Sequence, residues 1–142
     1  MLERANDPMH VFPCRVYYED TDAGGIVYHA NYLKFAERAR SELLRDLGTD
    51  NSRLMDQHGV LFAVRECQAT YHRPAKLDDA LEVHTDITSV GRATLSALHT
   101  VRRSDEVMAE LMVRLACLDA SGRPKRLPGD IRAAFQSLQR RH

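Results

Sequence analysis

The spacing of apolar residues changes once along this 142-residue chain, and that change constrains the fold more than any other feature. Between residues 30 and 47 the apolar residues recur every three or four positions, which is the period of an amphipathic helix. Gly48 follows, where a left-handed residue commonly ends a helix. From residue 61 to residue 117 apolar and polar residues alternate, which predicts strands with one buried face.

Four strands are predicted in the alternating part of the chain and a fifth ahead of the helix. Residues 11–18 are rich in aromatic and branched side chains, which predicts a short first strand. Turn residues divide the alternating part at Arg73-Pro74, Val90-Gly91-Arg92, Ser104-Asp105 and residues 119–122. The residues expected to face the core are Leu61, Ala63, Cys67, Ala69 and Tyr71, then Leu81, Val83, Thr85 and Ile87, then Ala93, Leu95, Ala97 and Val101, then Val107, Ala109, Leu111, Val113, Leu115 and Cys117.

This order of elements is an α+β pattern in which one helix covers one face of an antiparallel sheet. We expect a single domain over residues 1–142, with its core at about 11–128 and a short terminal helix at about 130–138. The polar stretch of residues 49–59 is predicted as a loop carrying a short helical turn. A sheet with one covering helix leaves an edge strand unprotected, so we expect a homodimer or a dimer of dimers.

Composition narrows the class of partner. Lysine plus arginine and aspartate plus glutamate each number 20, which argues against nucleic acid or an anionic membrane as the main partner. No apolar run reaches the length of a spanning helix, and residues 1–10 lack a secretory signal, so we expect a cytoplasmic protein without membrane insertion. The odd set Cys14, Cys67 and Cys117 has no C-x-x-C spacing, which argues against disulfides and structural zinc.

The segment richest in chemistry is YYEDTDAGGIVYHANY, residues 17–32, which lies directly before the predicted helix. It places carboxylates and a histidine around a pair of glycines, whose backbone can approach a ligand closely. The helix that follows directs unpaired N–H groups at whatever lies before it, and a developing negative charge is favoured there. We expect a reactive site. No G-x-S-x-G nucleophile motif occurs in the chain, which argues against a serine hydrolase.

This segment resembles the signature of the hot-dog-fold acyl-CoA thioesterases, specifically the YbgC-like branch of the 4-hydroxybenzoyl-CoA thioesterase group. The resemblance continues through LKFAERARSE at 33–42, YHRPAKLDD at 71–79 and PKRLP at 124–128. It implies an antiparallel sheet of about five strands wrapped around one long helix. It also implies hydrolysis of an acyl-CoA thioester to a free acid and CoA without a cofactor.

By the same resemblance, Asp22 corresponds to the catalytic carboxylate, which acts as nucleophile or as general base. The residue type alone equally suits an ordinary turn aspartate. Backbone N–H groups at about His29 and Ala30 would stabilise the oxyanion. The side chains of Tyr18 and His29 match further positions linked to catalysis, although an aromatic residue ending a strand is usually core. Asn31 is expected to cap the helix, and Glu19 and Asp20 to be exposed or hydrogen-bonded turn residues.

Phosphate groups of CoA need cationic partners near the mouth of the site. The candidates by residue type are Arg92, Arg73, Lys76, Lys125 and Arg126, although charged loops are commonly just solvated. A metal held by Asp20, Asp22 and His29 is disfavoured, because no paired histidines, thiolate partner or calcium-type loop accompany them.

Two other functions stay open. One is a non-hydrolytic acyl-thioester-binding or scaffold protein, since YbgC-like proteins are associated with the Tol-Pal cell-envelope system. The other is a hot-dog dehydratase acting on hydroxyacyl thioesters, whose chemistry uses a histidine and a carboxylate across a dimer cleft. A pure binding module would have no need of the Asp22, His29 and glycine set.

Overall fold

A computed structural model describes residues 10–139, so the ends of the expected domain and the expected absence of a signal in the first nine residues lie outside it. Five strands form one antiparallel sheet in the order β1-β3-β4-β5-β2. Their bounds are His10–Arg15 (β1), Leu61–Tyr71 (β2), Ala80–Val90 (β3), Thr94–Arg103 (β4) and Glu106–Leu118 (β5). The four strands predicted after the helix and their separating turns are confirmed.

The first strand is shorter than predicted. β1 ends at Arg15. Residues 16–18 were expected to finish it, but Tyr18 begins a 3₁₀ turn at Tyr18–Asp20. The backbone leaves the sheet because the Tyr17 N–H donates to the Asp20 carboxylate over 2.8 Å instead of to a neighbouring strand. A side chain three residues ahead thus competes with the sheet for a backbone donor.

The helices follow the sequence pattern closely. The long helix α1 spans Asn31–Asp46, and Gly48 after it has φ +90°, as the helix-ending role requires. The loop that follows contains the short α2, Asn51–Arg53, which continues as a π-helical turn over Leu54–His58. The terminal helix α3 spans Gly129–Leu138. No helix within residues 10–139 is long and apolar enough to cross a membrane.

The core lies between α1 and the inner face of the sheet. Phe35, Ala36 and Ala39 of α1 are fully buried against it. Each buried large side chain removes apolar surface from water and contributes roughly 1.5–3 kcal/mol. The buried residues of β3, β4 and β5 include Leu81, Val83, Ile87, Leu95, Ala97, Val101, Ala109, Leu111, Val113, Leu115 and Cys117, as the alternation predicted.

The predicted buried face of β2 is wrong at three of its five residues, while Ala63 and Ala69 are half-buried. Leu61 and Tyr71 are 37% and 46% exposed, and Cys67 is exposed as well. The physical reason is position, because β2 forms one edge of the sheet while α1 packs over β1, β3 and β5. The alternating pattern therefore marks a face that the single chain covers only in part.

Candidate active site

The two glycines of the motif close a tight turn that begins at Asp22. The Asp22 carbonyl accepts the Gly25 N–H over 3.0 Å, and the Asp22 N–H donates to the Ile26 carbonyl over 2.9 Å. Gly25 has φ +79°, a left-handed conformation that glycine adopts without strain. Thr21 pairs with Val27 beside the turn, so the motif is a short hairpin with Asp22 near its tip.

The Asp22 carboxylate is exposed and lightly held. Its Oδ1 accepts the Gly24 N–H over 2.8 Å, and within residues 10–139 its Oδ2 has no hydrogen-bond partner. A Cβ atom at Gly24 would stand 3.2 Å from that Oδ1. The glycine therefore leaves room for the carboxylate, which faces solvent with one oxygen free.

Asp20 has a different environment, although it lies only two residues away. It is 6% exposed, and its carboxylate accepts the Tyr17 N–H. Its carbonyl accepts both the Tyr28 N–H, over 2.9 Å, and the Asn31 Nδ2, over 2.8 Å. Asp20 therefore joins the 3₁₀ turn, the hairpin and the start of α1, in agreement with the hydrogen-bonded turn role expected for it.

The cap expected at Asn31 is not observed. Ala30 occupies the N-cap position without a side-chain hydrogen bond, and Asn31 is the first residue of α1. The Asn31 amide instead points back to the Asp20 carbonyl. Residue type predicted a polar contact at the helix start, but its partner depended on a turn that the sequence did not define.

The two residues directly before α1 present free backbone donors. The N–H groups of Tyr28 and Asn31 donate to the carbonyls of Asp20 and Tyr28. Those of His29 and Ala30 have no acceptor in the described part of the chain. Such unpaired N–H groups at a helix N-terminus favour an anion.

The imidazole of His29 is exposed between aromatic rings. Its centroid lies 4.6 Å from that of Tyr28 and 6.2 Å from that of Tyr71. His29 and Tyr71 also line a small cavity of about 220 Å³. Thr21 pairs with Val27, so Asp22 lies toward the tip of the hairpin from this pair and His29 lies two residues beyond it on the other side. No hydrogen bond joins their side chains in the described residues.

Tyr18 is 83% exposed, so the alternative that it belongs to the core is wrong. It lies in the 3₁₀ turn directly before Asp20. Its hydroxyl has no hydrogen-bond partner among residues 10–139, and nothing in the single chain fixes its direction.

The five cationic candidates fall into two groups at opposite ends of the sheet. Tyr71 of β2 pairs with Ala109 of β5, so Arg73 lies at the end of the sheet where β5 begins, and its N–H donates to the Met108 carbonyl. Lys76 joins this group because it bridges to Ile26 of the hairpin. Arg92 lies two residues before Thr94, and Thr94 is seven residues, roughly 23 Å, from Val101 along β4. Lys125 and Arg126 lie with Arg92, whose carbonyl accepts the Leu127 N–H.

Side-chain partners distinguish these cations further. Arg73 pairs with Glu106 over 2.8 Å, an exposed contact of small energetic weight. Lys125 donates to the His58 carbonyl over 2.9 Å. No side-chain hydrogen bond or ion pair within the described range holds Lys76, Arg92 or Arg126.

Sequence reasoning missed Tyr71 as a site residue. It was assigned to the core face of β2, yet its hydroxyl donates to the His29 carbonyl over 3.0 Å. Burial raises the pKa of this phenol, so it stays a neutral donor. A hydroxyl at the polar end of an otherwise apolar alternation was the only signal available.

No group of three or more histidine, cysteine, aspartate or glutamate side chains in residues 10–139 could hold a metal ion.

Comparison with known proteins agrees with this geometry. The family model described as thioesterase-like superfamily matches residues 16–135. The acyl-CoA thioesterase YbgC of Haemophilus influenzae is 42% identical over 129 residues, which cover 90% of this chain and 95% of that protein. The acyl-CoA thioester hydrolase YbgC of Escherichia coli O6:H1 is 42% identical over 133 residues, covering 92% and 98%.

Solved structures give the same result. A probable thioesterase from Bartonella henselae superposes with a TM-score of 0.80 at 37% identity, covering 84% of this chain and 98% of that one. A hypothetical protein from Thermus thermophilus superposes with a TM-score of 0.85 at 31% identity, covering 92% and 99%. The chain belongs to the thioesterase-like superfamily and has its hot-dog fold. Within that superfamily it is a YbgC-type acyl-CoA thioesterase, as the sequence motif indicated.

Proposed function

We propose that this chain hydrolyses acyl-CoA thioesters to a free acid and CoA, with Asp22 as the catalytic carboxylate. One observation carries the proposal: an exposed carboxylate with a free oxygen lies on the same hairpin that leads into two unpaired N–H groups. The identity to the YbgC proteins supports the reaction class. The roles of individual residues rest on geometry and chemistry.

The backbone N–H groups of His29 and Ala30 form the oxyanion site in this proposal. The thioester carbonyl oxygen becomes negative in the tetrahedral transition state, and donors already aimed at it need no reorganisation. Loss of one such donor costs roughly 2.7–4 kcal/mol in a hydrolase. The positive end of the α1 dipole acts in the same direction.

Asp22 has two chemically balanced routes. As a nucleophile its carboxylate attacks the carbonyl carbon, the C–S bond breaks, CoA leaves as the thiolate, and water then opens the mixed anhydride. As a general base it takes a proton from water, whose oxygen attacks the carbonyl and expels the same thiolate. The free Oδ2 suits either route.

The side chains of Tyr18 and His29 assist in this proposal. The imidazole of His29 can both accept and donate a proton, which suits proton delivery to the leaving thiolate. The exposure of both side chains leaves them accessible to substrate. No hydrogen bond in residues 10–139 joins either side chain to the Asp22 carboxylate, which suits contacts with different parts of the thioester.

CoA phosphates in this proposal contact Arg73 and Lys76 of the same chain. Both lie at the hairpin end of the sheet, as the bridge between Ile26 and Lys76 illustrates. Arg92, Lys125 and Arg126 lie at the opposite end, so they serve this site only if a second copy of the chain brings them to it.

A second copy is the oligomeric partner in this proposal, as a homodimer or a tetramer. The outer edge of β2 is unpaired in the described residues, and Val64 on it is 52% exposed. Antiparallel pairing of two β2 strands removes this edge. It also brings the Leu61 end of one chain beside the Tyr71 end of the other, which would place Arg92, Lys125 and Arg126 near the partner's hairpin.

The free thiols of Cys14, Cys67 and Cys117 suit the reducing cytoplasm, where we place the reaction.

The test is thiol release from a panel of acyl-CoA esters by the full chain and by Asp22→Asn. We expect the variant to lose roughly 10²–10⁴-fold in kcat, the range of a general base, with a nearly unchanged thermal midpoint. Glu19→Gln is the matched control, because it removes one exposed charge from the adjoining turn.

Other outcomes separate the alternatives. Equal activity of both variants would remove Asp22 from the mechanism and leave it a turn residue. Hydration or dehydration of hydroxyacyl and enoyl thioesters without thiol release would favour the dehydratase. Binding of acyl-CoA without any turnover, unaffected by Asp22→Asn, would favour the scaffold protein of the Tol-Pal system.

A further inference from the structure

A second cavity lies at the other end of α1, away from the hairpin. It measures about 470 Å³, within the size range of small-molecule sites. It opens between α1, the start of β2 and the terminal helix α3. Its apolar lining includes Leu43, Leu44, Phe62, Leu115 and Phe135.

One cation faces this apolar cavity. Arg40 is half-buried and lines it, and Nη1 of Arg40 lies 3.1 Å from Nε2 of His99. No carboxylate forms an ion pair with Arg40 in the described residues, although the charge of Glu37, which also lines the cavity, favours the protonated form of Arg40. Burial is the main cause that lowers the pKa of Arg40, which reflects the cost of holding its charge there.

Two fully buried polar residues, His99 and Thr85, fix the orientation of the Arg40 guanidinium. Nδ1 of His99 lies 2.9 Å from Thr85 Oγ1. Because arginine can only donate, Nε2 of His99 must accept, so the ring proton is on Nδ1 and is donated to Thr85. Burial and the Arg40 charge lower the pKa of His99 to about 3, which keeps the ring neutral and able to accept.

This chain of hydrogen bonds occupies one N–H of the guanidinium and leaves the others available. Arginine presents five donors in a planar fork that matches a carboxylate. Arg40 is half-buried without an ion-pair partner in the described residues, and an incoming carboxylate would offset the cost of its partial desolvation with charge-assisted hydrogen bonds. The surrounding leucine and phenylalanine side chains suit a hydrocarbon chain attached to it.

We propose that this cavity binds an aliphatic carboxylate, with the carboxylate on Arg40 and the hydrocarbon chain between α1 and the sheet. His99 acts as a positioning residue that holds the guanidinium toward the cavity. A thioesterase supplies such a carboxylate from two sources, and the distinction between them rests on the proposed function. One is the free acid released by hydrolysis. The other is the distal carboxylate of a dicarboxylic acyl chain still joined to CoA.

The distance between Arg40 and the start of α1 bears on which source supplies the carboxylate. Arg40 lies nine residues after Asn31, which is about 14 Å along the helix axis. A short acyl group bound at the helix start therefore does not reach Arg40 of the same protein chain. The proposed β2 pairing would bring the cavity beside the hairpin of a second copy. A free acid needs no such pairing.

The binding test uses octanoate and octan-1-ol as probes of equal chain length, measured by calorimetry on the full chain. We expect octanoate to bind more tightly than the alcohol, and Arg40→Met to weaken octanoate by about tenfold or more while leaving octanol unchanged. Arg38→Met is the matched control, because Arg38 lies on the same helix, over the Phe35 ring and outside the cavity lining. If Arg40→Met does not fold, Arg40→Lys replaces it and should weaken octanoate through loss of the planar fork.

Kinetics distinguish the two sources. Suberoyl-CoA is compared with octanoyl-CoA, and a selective loss of kcat/KM for suberoyl-CoA in Arg40→Met identifies the acyl chain as the ligand. Inhibition by octanoate that weakens in Arg40→Met, with both substrates unaffected, identifies the free acid. Equal affinity for octanoate and octanol, or octanoate affinity unchanged in the Arg40 variants, overturns the proposal. Because binding is read without turnover, this failure is distinct from failure of the thioesterase assignment.

Discussion

The hydroxyl of Tyr71, the last residue of β2, donates a 3.0 Å hydrogen bond to the carbonyl oxygen of His29. That carbonyl belongs to the same peptide group as the Ala30 N–H, one of the two free donors before α1. The contact therefore fixes the plane of the peptide and polarises it toward its N–H. A strand at the sheet edge thus orients a donor of the proposed oxyanion site.

Replacing Tyr71 by phenylalanine removes this hydrogen bond and keeps the ring. A neutral hydrogen bond has a net worth of about 0.5–1.5 kcal/mol, so we expect kcat to fall by up to about tenfold with KM little changed. Steady-state thiol release measures both. Tyr28→Phe is the control, because the Tyr28 ring also contacts His29 while its hydroxyl has no partner in residues 10–139. Equal losses in the two variants would contradict the positioning role.

The two glycines of the turn should separate activity from stability. Gly24→Ala places a Cβ 3.2 Å from Asp22 Oδ1, so the carboxylate must shift. We expect kcat to fall by about tenfold or more with little change in unfolding free energy, since small misplacement of a reacting group is costly.

Gly25→Ala should do the reverse. Nothing lies within 4 Å of its added Cβ, but its φ of +79° strains an alanine by about 1–2 kcal/mol. Urea unfolding and thiol release on both variants make the comparison. Loss of activity only in proportion to stability in Gly24→Ala would argue against a catalytic Asp22.

Asp79 should make stability depend on acid pH. Burial raises the pKa of this carboxyl. Hydrogen bonds from the Lys76 N–H and from Arg103 lower it by more, so the net pKa lies below the ordinary 3.8. A lowered folded-state pKa contributes stability above the unfolded value, and the contribution is lost as pH falls through the folded value.

The Asp79→Asn variant should therefore unfold at lower urea than the parent at neutral pH, and the difference should shrink below about pH 4. Asp78→Asn is the matched control, because Asp78 lies in the same turn with φ +70°, which asparagine also tolerates. A pH-independent difference for Asp79→Asn would show that its charge is not the cause.

Assembly through β2 is tested by sedimentation. The native mass should be at least twice the 16.1 kDa of one chain. Val64→Lys puts a charge on the exposed edge strand and should shift the distribution toward the single chain. A parent protein that sediments as one chain at micromolar concentration would refute the pairing.

Local patterns in the sequence were sufficient for most elements. The helical period between residues 30 and 47 predicted α1, and Gly48 marked its end, because helix formation depends on neighbours three and four residues apart. Alternation predicted β2 to β5 and their turns for the same local reason. The turn at the paired glycines was predicted because a turn, too, is a short-range structure.

Only the tertiary structure decided which alternating face is covered and which polar groups meet. The β2 pattern resembles that of the inner strands, yet its place at the sheet edge leaves it exposed, since burial depends on what packs against a face. The Tyr71 to His29 and Arg40 to His99 contacts join residues 42 and 59 positions apart. No local pattern encodes such pairs, because the folding of the whole sheet around α1 brings them together.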